Sequence, residues 1–253
     1  MNKIVLITGA TSGFGKACAE KFAAAGGYDL ILTGRRQERL EELKRRLENG
    51  NTRVTTLTFD VQDKDAVFSA IASLPAEWKK VDILFNNAGL ALGRDYFDEA
   101  DLDDWETMID TNLKGLLYVS RAVIPLMVGQ PHPHIINMGS VAGKEVYEKG
   151  NAYCASKFAV DAISRSMRID LLRHAIKVTA IHPGAAETEF SMVRFKGDEQ
   201  QARKIYEGFI PLIADDIADV VYYCATLPPH VCINDLVITC TAQADAIYFY
   251  RKS

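Results

Sequence analysis

Several absences narrow the field before any motif is read. No apolar stretch approaches the ~20 residues that a membrane-crossing helix requires. The opening run Lys3-Ile4-Val5-Leu6-Ile7 is too short for a secretory core, and no small-residue cleavage site follows it. A cytoplasmic protein with no membrane partner is expected. Cysteines number only five, an odd count without a Cys-x-x-Cys pair, which argues against a disulfide framework. His132-Pro133-His134 resembles a metal pair, but no third ligand is close in sequence. It reads as a solvated loop ahead of a strand, and no metal is expected. Excess charge is missing too: 29 Lys+Arg face 33 Asp+Glu, and a net charge of -4 offers no general attraction to nucleic acid. Repeats, low-complexity tracts and linkers are also absent, so residues 1–253 read as one domain.

What is present is ample core material, 48% hydrophobic against 25% charged. Short β-branched runs take turns with helical stretches: Ile4–Thr8, Gly15–Ala25, Leu30–Thr33, Glu38–Leu47, Val54–Phe59, Ala66–Leu74 and Val81–Phe85. The alternation continues through Trp105–Met127, Ile135–Met138, Asn151–Arg173, Lys177–Ile181, Ala214–Leu227 and Leu236–Thr239. Strands that are apolar on both faces and joined by helices predict an α/β fold, a doubly wound Rossmann-like domain of about seven parallel strands with helices on both faces. Pro183 to Pro211 breaks the rhythm after a strand end, where open α/β sheets bind ligands. A substrate lobe or lid is expected at about residues 184–211.

After the first strand comes Thr8-Gly9-Ala10-Thr11-Ser12-Gly13-Phe14-Gly15, opening a helix. Gly9, Gly13 and Gly15 let the backbone turn tightly and bring the N–H groups of Thr11, Ser12 and Phe14 toward a pyrophosphate at the helix start. The spacing is Gly-x-x-x-Gly-x-Gly and departs from the Gly-x-Gly-x-x-Gly dinucleotide fingerprint. Folds that use NAD carry an acid at the end of the second strand, whereas an arginine accommodates a 2′-phosphate. Here that strand ends Thr33-Gly34-Arg35-Arg36, without an acid. Charge-assisted bonds from Arg35 and Arg36 favour NADP over NAD.

The glycine spacing, followed in order by Asp60-Val61, Asn86-Asn87-Ala88-Gly89, Asn112, Ser140, Tyr153-x-x-x-Lys157 and Pro183-Gly184, resembles the short-chain dehydrogenase/reductase family. Thr188-Glu189-Phe190-Ser191-Met192-Val193-Arg194-Phe195-Lys196-Gly197 is similar to its NADP-dependent 3-hydroxy acid (serine or allo-threonine) dehydrogenase branch. The resemblance implies that Asp60 and Val61 meet adenine, that Asn86, Ala88, Gly89, Pro183 and Gly184 belong to the cofactor site, and that Thr188 meets the nicotinamide carboxamide. It also implies that Lys157 grips the nicotinamide ribose, Ser140 hydrogen-bonds the substrate oxygen, and Asn112 anchors a water leading from the lysine to solvent.

Tyr153 and Lys157 stand four apart on one helix face. A free phenol titrates near pH 10, and the ammonium of Lys157 is expected to lower that of Tyr153 toward neutrality so that it can exchange a proton with the substrate oxygen. Arg194, following Thr188, is the expected partner of a substrate carboxylate, with Lys196 in reserve. The expected activity is hydride transfer between NADP(H) and a small 3-hydroxy acid. The alternatives are a broad ketoreductase for apolar carbonyls and a non-catalytic NADP-binding regulator. A serine hydrolase fails, because Met138 and Ala142 stand where a Gly-x-Ser-x-Gly elbow needs glycines. The resemblance further implies a tetramer or dimer built through the helices of Asn112 and Tyr153, and a homotetramer is expected. Leu113–Met127 is apolar enough to pack on a partner, and the aromatic tail Asp245–Arg251 is expected to dock, against another subunit or within its own.

Overall fold

The computed structural model describes residues 2–252. Seven strands form one sheet in the order β3-β2-β1-β4-β5-β6-β7, and every pairing is parallel. They are β1 (Lys3–Ile7), β2 (Tyr28–Gly34), β3 (Val54–Thr58), β4 (Val81–Asn86), β5 (His134–Met138), β6 (Lys177–Pro183) and β7 (Asp235–Ile238). Successive strand residues point to opposite faces, which β1 shows directly. Val5 and Ile7 join the core that packs α1 (Gly13–Ala25), α2 (Gln37–Leu47) and α9 (Ala214–Thr226). Ile4 and Leu6 join the core that packs α3 (Lys64–Ala72), α5 (Leu116–Met127) and α6 (Asn151–Asp170). The expected single doubly wound domain is the observed one. Chain order reverses between β1 and β4, and such a switch opens a crevice at the carboxyl edge of a sheet.

The single helix expected over Trp105–Met127 is instead three pieces. After α4 (Leu102–Ile109) a π-helical turn spans Asp110–Gly115, and only then does α5 begin. Leu116, Val119, Val123 and Met127 face the protein's own core, so α5 is less free for a partner than its composition suggests. The irregular segment after β6 holds two short helices, α7 (Glu189–Arg194) and α8 (Glu199–Lys204). The tail folds back on this segment: Phe249 lies 5.2 Å from the Phe209 ring, and Arg251 Nη2 donates to the Ile205 carbonyl at 3.0 Å. Its aromatic side therefore docks within the subunit, while Ile247, Tyr248 and Tyr250 stay exposed. Among the described residues no helix is long and apolar enough to cross a membrane.

His134 corrects the solvated-loop expectation, because it opens β5 and is buried. Thr179 Oγ1 donates to the Ile233 carbonyl, so it must accept from His134 Nε2, 2.7 Å away. Nδ1 is buried without a hydrogen-bond partner, and burial, with Lys177 nearby, pushes the imidazole from 6.5 down to about 3. The ring is neutral when folded and binds a proton readily only when unfolded. Its contribution is complete above pH 6.5 and is lost as pH falls toward 3. Between pH 7 and pH 5 the protein should lose on the order of 2 kcal/mol from this residue. Urea unfolding followed by circular dichroism should show that slope, and His134→Gln should flatten it.

Candidate active site

Because all seven strands are parallel, the ends of β1 to β6 bring the loops that carry the motifs to one edge. There they enclose a cleft of about 290 Å³ between the loop after β1 and the segment around Thr188. Helix α1 starts at Gly13 with φ +49°, a left-handed conformation that favours glycine, and Thr188 lies across from it. Ser12 at its N-cap makes no capping bond and the first turn holds no acid, so the first N–H groups of α1 have no side-chain acceptor and suit an anion. The Ser12 hydroxyl instead accepts from Arg36 Nη2 at 2.8 Å, and Thr11 Oγ1 accepts from the same nitrogen at 2.7 Å.

Arg36 Nη1 and Arg39 Nη1 each reach the carboxylate of Glu189 at 3.0 Å. Burial alone would raise that carboxyl, but the bonds and charge of the two arginines outweigh it and hold it below its ordinary range. Arg35 Nη1 meets Asp60 Oδ2 at 3.2 Å.

At the other end of the cleft α6 presents Tyr153 and Lys157, both buried. Lys157 Nζ lies 5.9 Å from the Tyr153 ring centroid and donates to the Met138 carbonyl at 2.9 Å. Burial drives Lys157 down to about 8. The expected lowering of the Tyr153 phenol is overturned. Burial, reinforced by Tyr147, pushes it above its ordinary 10, and a hydrogen bond with Ser140 and the charge of Arg194 counter this only in part. Desolvation drives both groups toward their neutral forms, so the phenol holds its proton at neutral pH.

Asn112, in the π-helical turn, is almost fully buried. Its Oδ1 accepts from Leu90 N at 2.8 Å, and its Nδ2 donates to the Leu90 carbonyl at 2.8 Å and to Ser156 Oγ at 3.0 Å. The side chain thus clamps the loop after β4. A Cβ at Gly89 would stand 3.1 Å from Asn112 Oδ1 and 3.5 Å from Lys157 Nζ, so glycine keeps the floor between them open.

Arg194 is only 8% exposed. Its guanidinium lies 5.5 Å from the Tyr153 ring centroid and 5.7 Å from that of Tyr147. Nη1 donates to Tyr147 Oη at 3.1 Å and Nε to the Gly93 carbonyl at 3.3 Å. Lys196 points elsewhere: it pairs with Asp104 at 2.9 Å.

The family model for short chain dehydrogenase matches residues 3–199. The chain belongs to the short chain dehydrogenase family. It is 49% identical over 244 residues to the NADP-dependent 3-hydroxy acid dehydrogenase YdfG of Escherichia coli (strain K12), covering 96% of this chain and 97% of that one. It is 48% identical over 245 residues to sulfoacetaldehyde reductase 2 of Chromohalobacter salexigens, covering 96% of each. Among solved structures it resembles the closed form of serine dehydrogenase complexed with NADP+, with a TM-score of 0.91, 48% identity, and coverage of 99% of this chain and 100% of that one.

In this short chain dehydrogenase the cleft is lined by Gly9, Thr11, Ser12, Gly13, Phe14, Arg35, Arg36, Asp60, Val61, Ala88, Gly89, Tyr153, Lys157 and Thr188, all expected from sequence. Gly15, Asn86, Asn112, Ser140, Pro183, Gly184 and Arg194 are not among its lining residues. Gly15 packs on the Gly9 carbonyl and Asn87. Asn86 Nδ2 donates to Ser120 and Asn137, both at 2.9 Å. Pro183 closes β6, and Gly184 leaves space for Gln243. Glu189 lines the cleft without having been expected there, Phe190 lines it from the expected lid segment, and Tyr147 joins the site through Arg194 and by packing beside Tyr153. Glu189 directly follows Thr188, which was a usable hint, whereas no pattern in the sequence marks Tyr147.

Proposed function

We propose that this short chain dehydrogenase is a cytoplasmic homotetramer that transfers hydride between NADP(H) and the hydroxyl or carbonyl carbon of a small 3-hydroxy acid. The observation that carries the substrate class is Arg194, a buried cation beside the phenol of Tyr153. Among the described residues no carboxylate oxygen lies within 4.0 Å of it. A buried charge without a partner is costly, and an anionic substrate supplies one. The names of the relatives agree in kind, since a 3-hydroxy acid and sulfoacetaldehyde are both small anions.

The residues present fit NADP. The uncapped start of α1 would receive its pyrophosphate and Arg35 and Arg36 its 2′-phosphate, while Asp60, Val61, Ala88, Gly89, Lys157 and Thr188 would line the rest. Bound there, the nicotinamide supplies the hydride acceptor or donor. Tyr153 Oη holds its proton at neutral pH, the form that protonates a nascent alkoxide during carbonyl reduction. In alcohol oxidation the same oxygen must first be free to accept one. Ser140 steadies the charge on the substrate oxygen, Lys157 grips the ribose, and Asn112 fixes the loop beneath them. The lobe at residues 184–211 acts as a lid, with Phe190 tilted against Tyr153 at 5.7 Å to exclude water. The tetramer is supported by apolar side chains left in solvent near the end of α6, Ile169 at 75% and Leu172 at 74% exposed.

NADP reduction should appear with serine, allo-threonine, 3-hydroxypropionate or 3-hydroxyisobutyrate and be much weaker with NAD. Comparable rates on apolar alcohols would point to a broad ketoreductase, and no turnover of any substrate to a binding regulator. Tyr153→Phe should abolish turnover while NADPH fluorescence titration shows binding largely intact; activity within about tenfold of wild type would remove the proton-transfer role. Arg194→Met should lower kcat/KM on a 3-hydroxy acid by ~30- to 1000-fold and change little on an uncharged alcohol of similar size. Light scattering should give four times the 28.0 kDa monomer mass.

A further inference from the structure

Behind Ser140, on the side away from the cleft, lies a polar cluster that the proposed chemistry does not use. His182, next to last in β6, is fully buried. Its ring sits under Gly139 so closely that a Cβ there would stand 2.6 Å from Cε1, so the strand end that presents Ser140 rests on the imidazole. Nδ1 lies 3.2 Å from the Ser140 carbonyl oxygen. A carbonyl only accepts, so Nδ1 carries the proton and donates. Nε2 has no hydrogen-bond partner. It faces Asp161 Oδ1 at 3.7 Å and Asp235 Oδ1 at 3.6 Å.

Those carboxylates are tied by Lys144, whose ammonium reaches Asp161 at 3.0 Å and also Asp235, while Arg165 backs Asp161 at 2.8 Å. Asp161, His182 and Asp235 are close enough to hold a metal ion, but the Lys144 ammonium already bridges the two acids. Burial and the charge of Lys144 keep His182 below its ordinary range despite the two acids, so the ring is neutral. Lys144 closes the turn Val141–Gly143 that follows Ser140. Asp161 stands on α6, one turn beyond Lys157. Within the turn Gly143 N donates to the Ser140 carbonyl at 2.8 Å and Ala142 N to its hydroxyl at 3.1 Å; His182 adds the one side-chain donor to that carbonyl, and Lys144 ties the far end of the turn to the helix that carries Tyr153.

We propose that His182 is a positioning residue: by donating from Nδ1 to the Ser140 carbonyl it fixes the Ser140 hydroxyl against Tyr153, a role that rests on Ser140 contacting the substrate oxygen. Misplacing a catalytic group by about 1 Å costs up to ~100-fold in rate, so the hydrogen bond matters through geometry. Two amides separate this from general packing. Asn places a donor where Nδ1 stands and can still reach the carbonyl. Gln carries its amide farther out, toward Asp161 and Asp235, and leaves the carbonyl with only the Gly143 N–H, 2.8 Å away, as its donor.

The test measures kcat, KM, NADPH binding by fluorescence and thermal unfolding for His182→Asn and His182→Gln, each alone and combined with Ser140→Ala. Expected are near wild-type kcat for His182→Asn, a fall of about 10- to 100-fold for His182→Gln with NADPH affinity unchanged, and little further loss when His182→Gln is added to Ser140→Ala. Equal losses in the two amides, or a full additional loss in the Ser140→Ala background, would overturn the proposal. If Ser140→Ala alone leaves kcat unchanged, the reading of Ser140 itself fails, a result separate from any effect at His182.

Discussion

Positive charge buried without a matching carboxylate is the constraint from which the site's properties follow. Lys157 and Arg194 are 5% and 8% exposed, and among the described residues neither has a carboxylate oxygen within 4.0 Å. The two relieve this differently. A lysine can shed its proton, and Lys157 is driven down to about 8. An arginine cannot, so Arg194 keeps its charge and settles for a tyrosine hydroxyl, a backbone carbonyl and two ring faces. These contacts soften the desolvation without neutralising the charge. On a protein whose net charge is -4, the Arg35, Arg36 and Lys157 of the cleft wall outnumber its acids Asp60 and Glu189, which suits a dinucleotide.

The sheet supplies the geometry that gathers these side chains. Parallel strands end on one edge, so side chains far apart in sequence converge there without any one loop having to be long. The π-helical turn at Asp110–Gly115 is the fold's departure from regularity in this region. Widening the helix at that point turns Asn112 inward, where it holds the backbone of Leu90 by two hydrogen bonds. An unbroken α-helix would carry the same residue in a different direction, which explains why a helix-length pattern over Trp105–Met127 did not disclose the clamp.

Legibility followed the range of the interactions. The glycine loop, the arginines after β2 and the pair Tyr153 and Lys157 are local patterns, and their order along the chain, through the family resemblance it carries, was enough to place them. The alternation of strands and helices was equally plain, since burial on both faces leaves its mark within each run. What escaped depends on contacts between distant segments. Arg194 meets Gly93 across 101 positions, and Arg36 meets Glu189 across 153. His134 looked solvated beside prolines, yet its partner Thr179 comes from the neighbouring strand. Proximity in sequence also misled at Tyr153. A lysine one turn away suggests a lowered phenol pKa, but the ammonium is engaged by Met138, and burial decides the direction.

The short helix α7 joins the two ends of the cleft. Six residues cannot sustain a helix unaided, so its position depends on what its ends touch. At the start Thr188 caps it by accepting from Phe190 N at 3.2 Å, and Glu189 pairs with Arg36 and Arg39. At the finish Arg194 is buried against Tyr147 and Tyr153. The pairs at the start are about half exposed and each is worth only ~0–1 kcal/mol, screened further by salt. The contacts at the finish are desolvated and stronger for the same chemistry. An anion arriving at Arg36 therefore competes with the weakly held end, whereas an anion arriving at Arg194 adds to the strongly held one. The helix is accordingly easier to free at its Glu189 end than at its Arg194 end, and this asymmetry follows from solvent exposure.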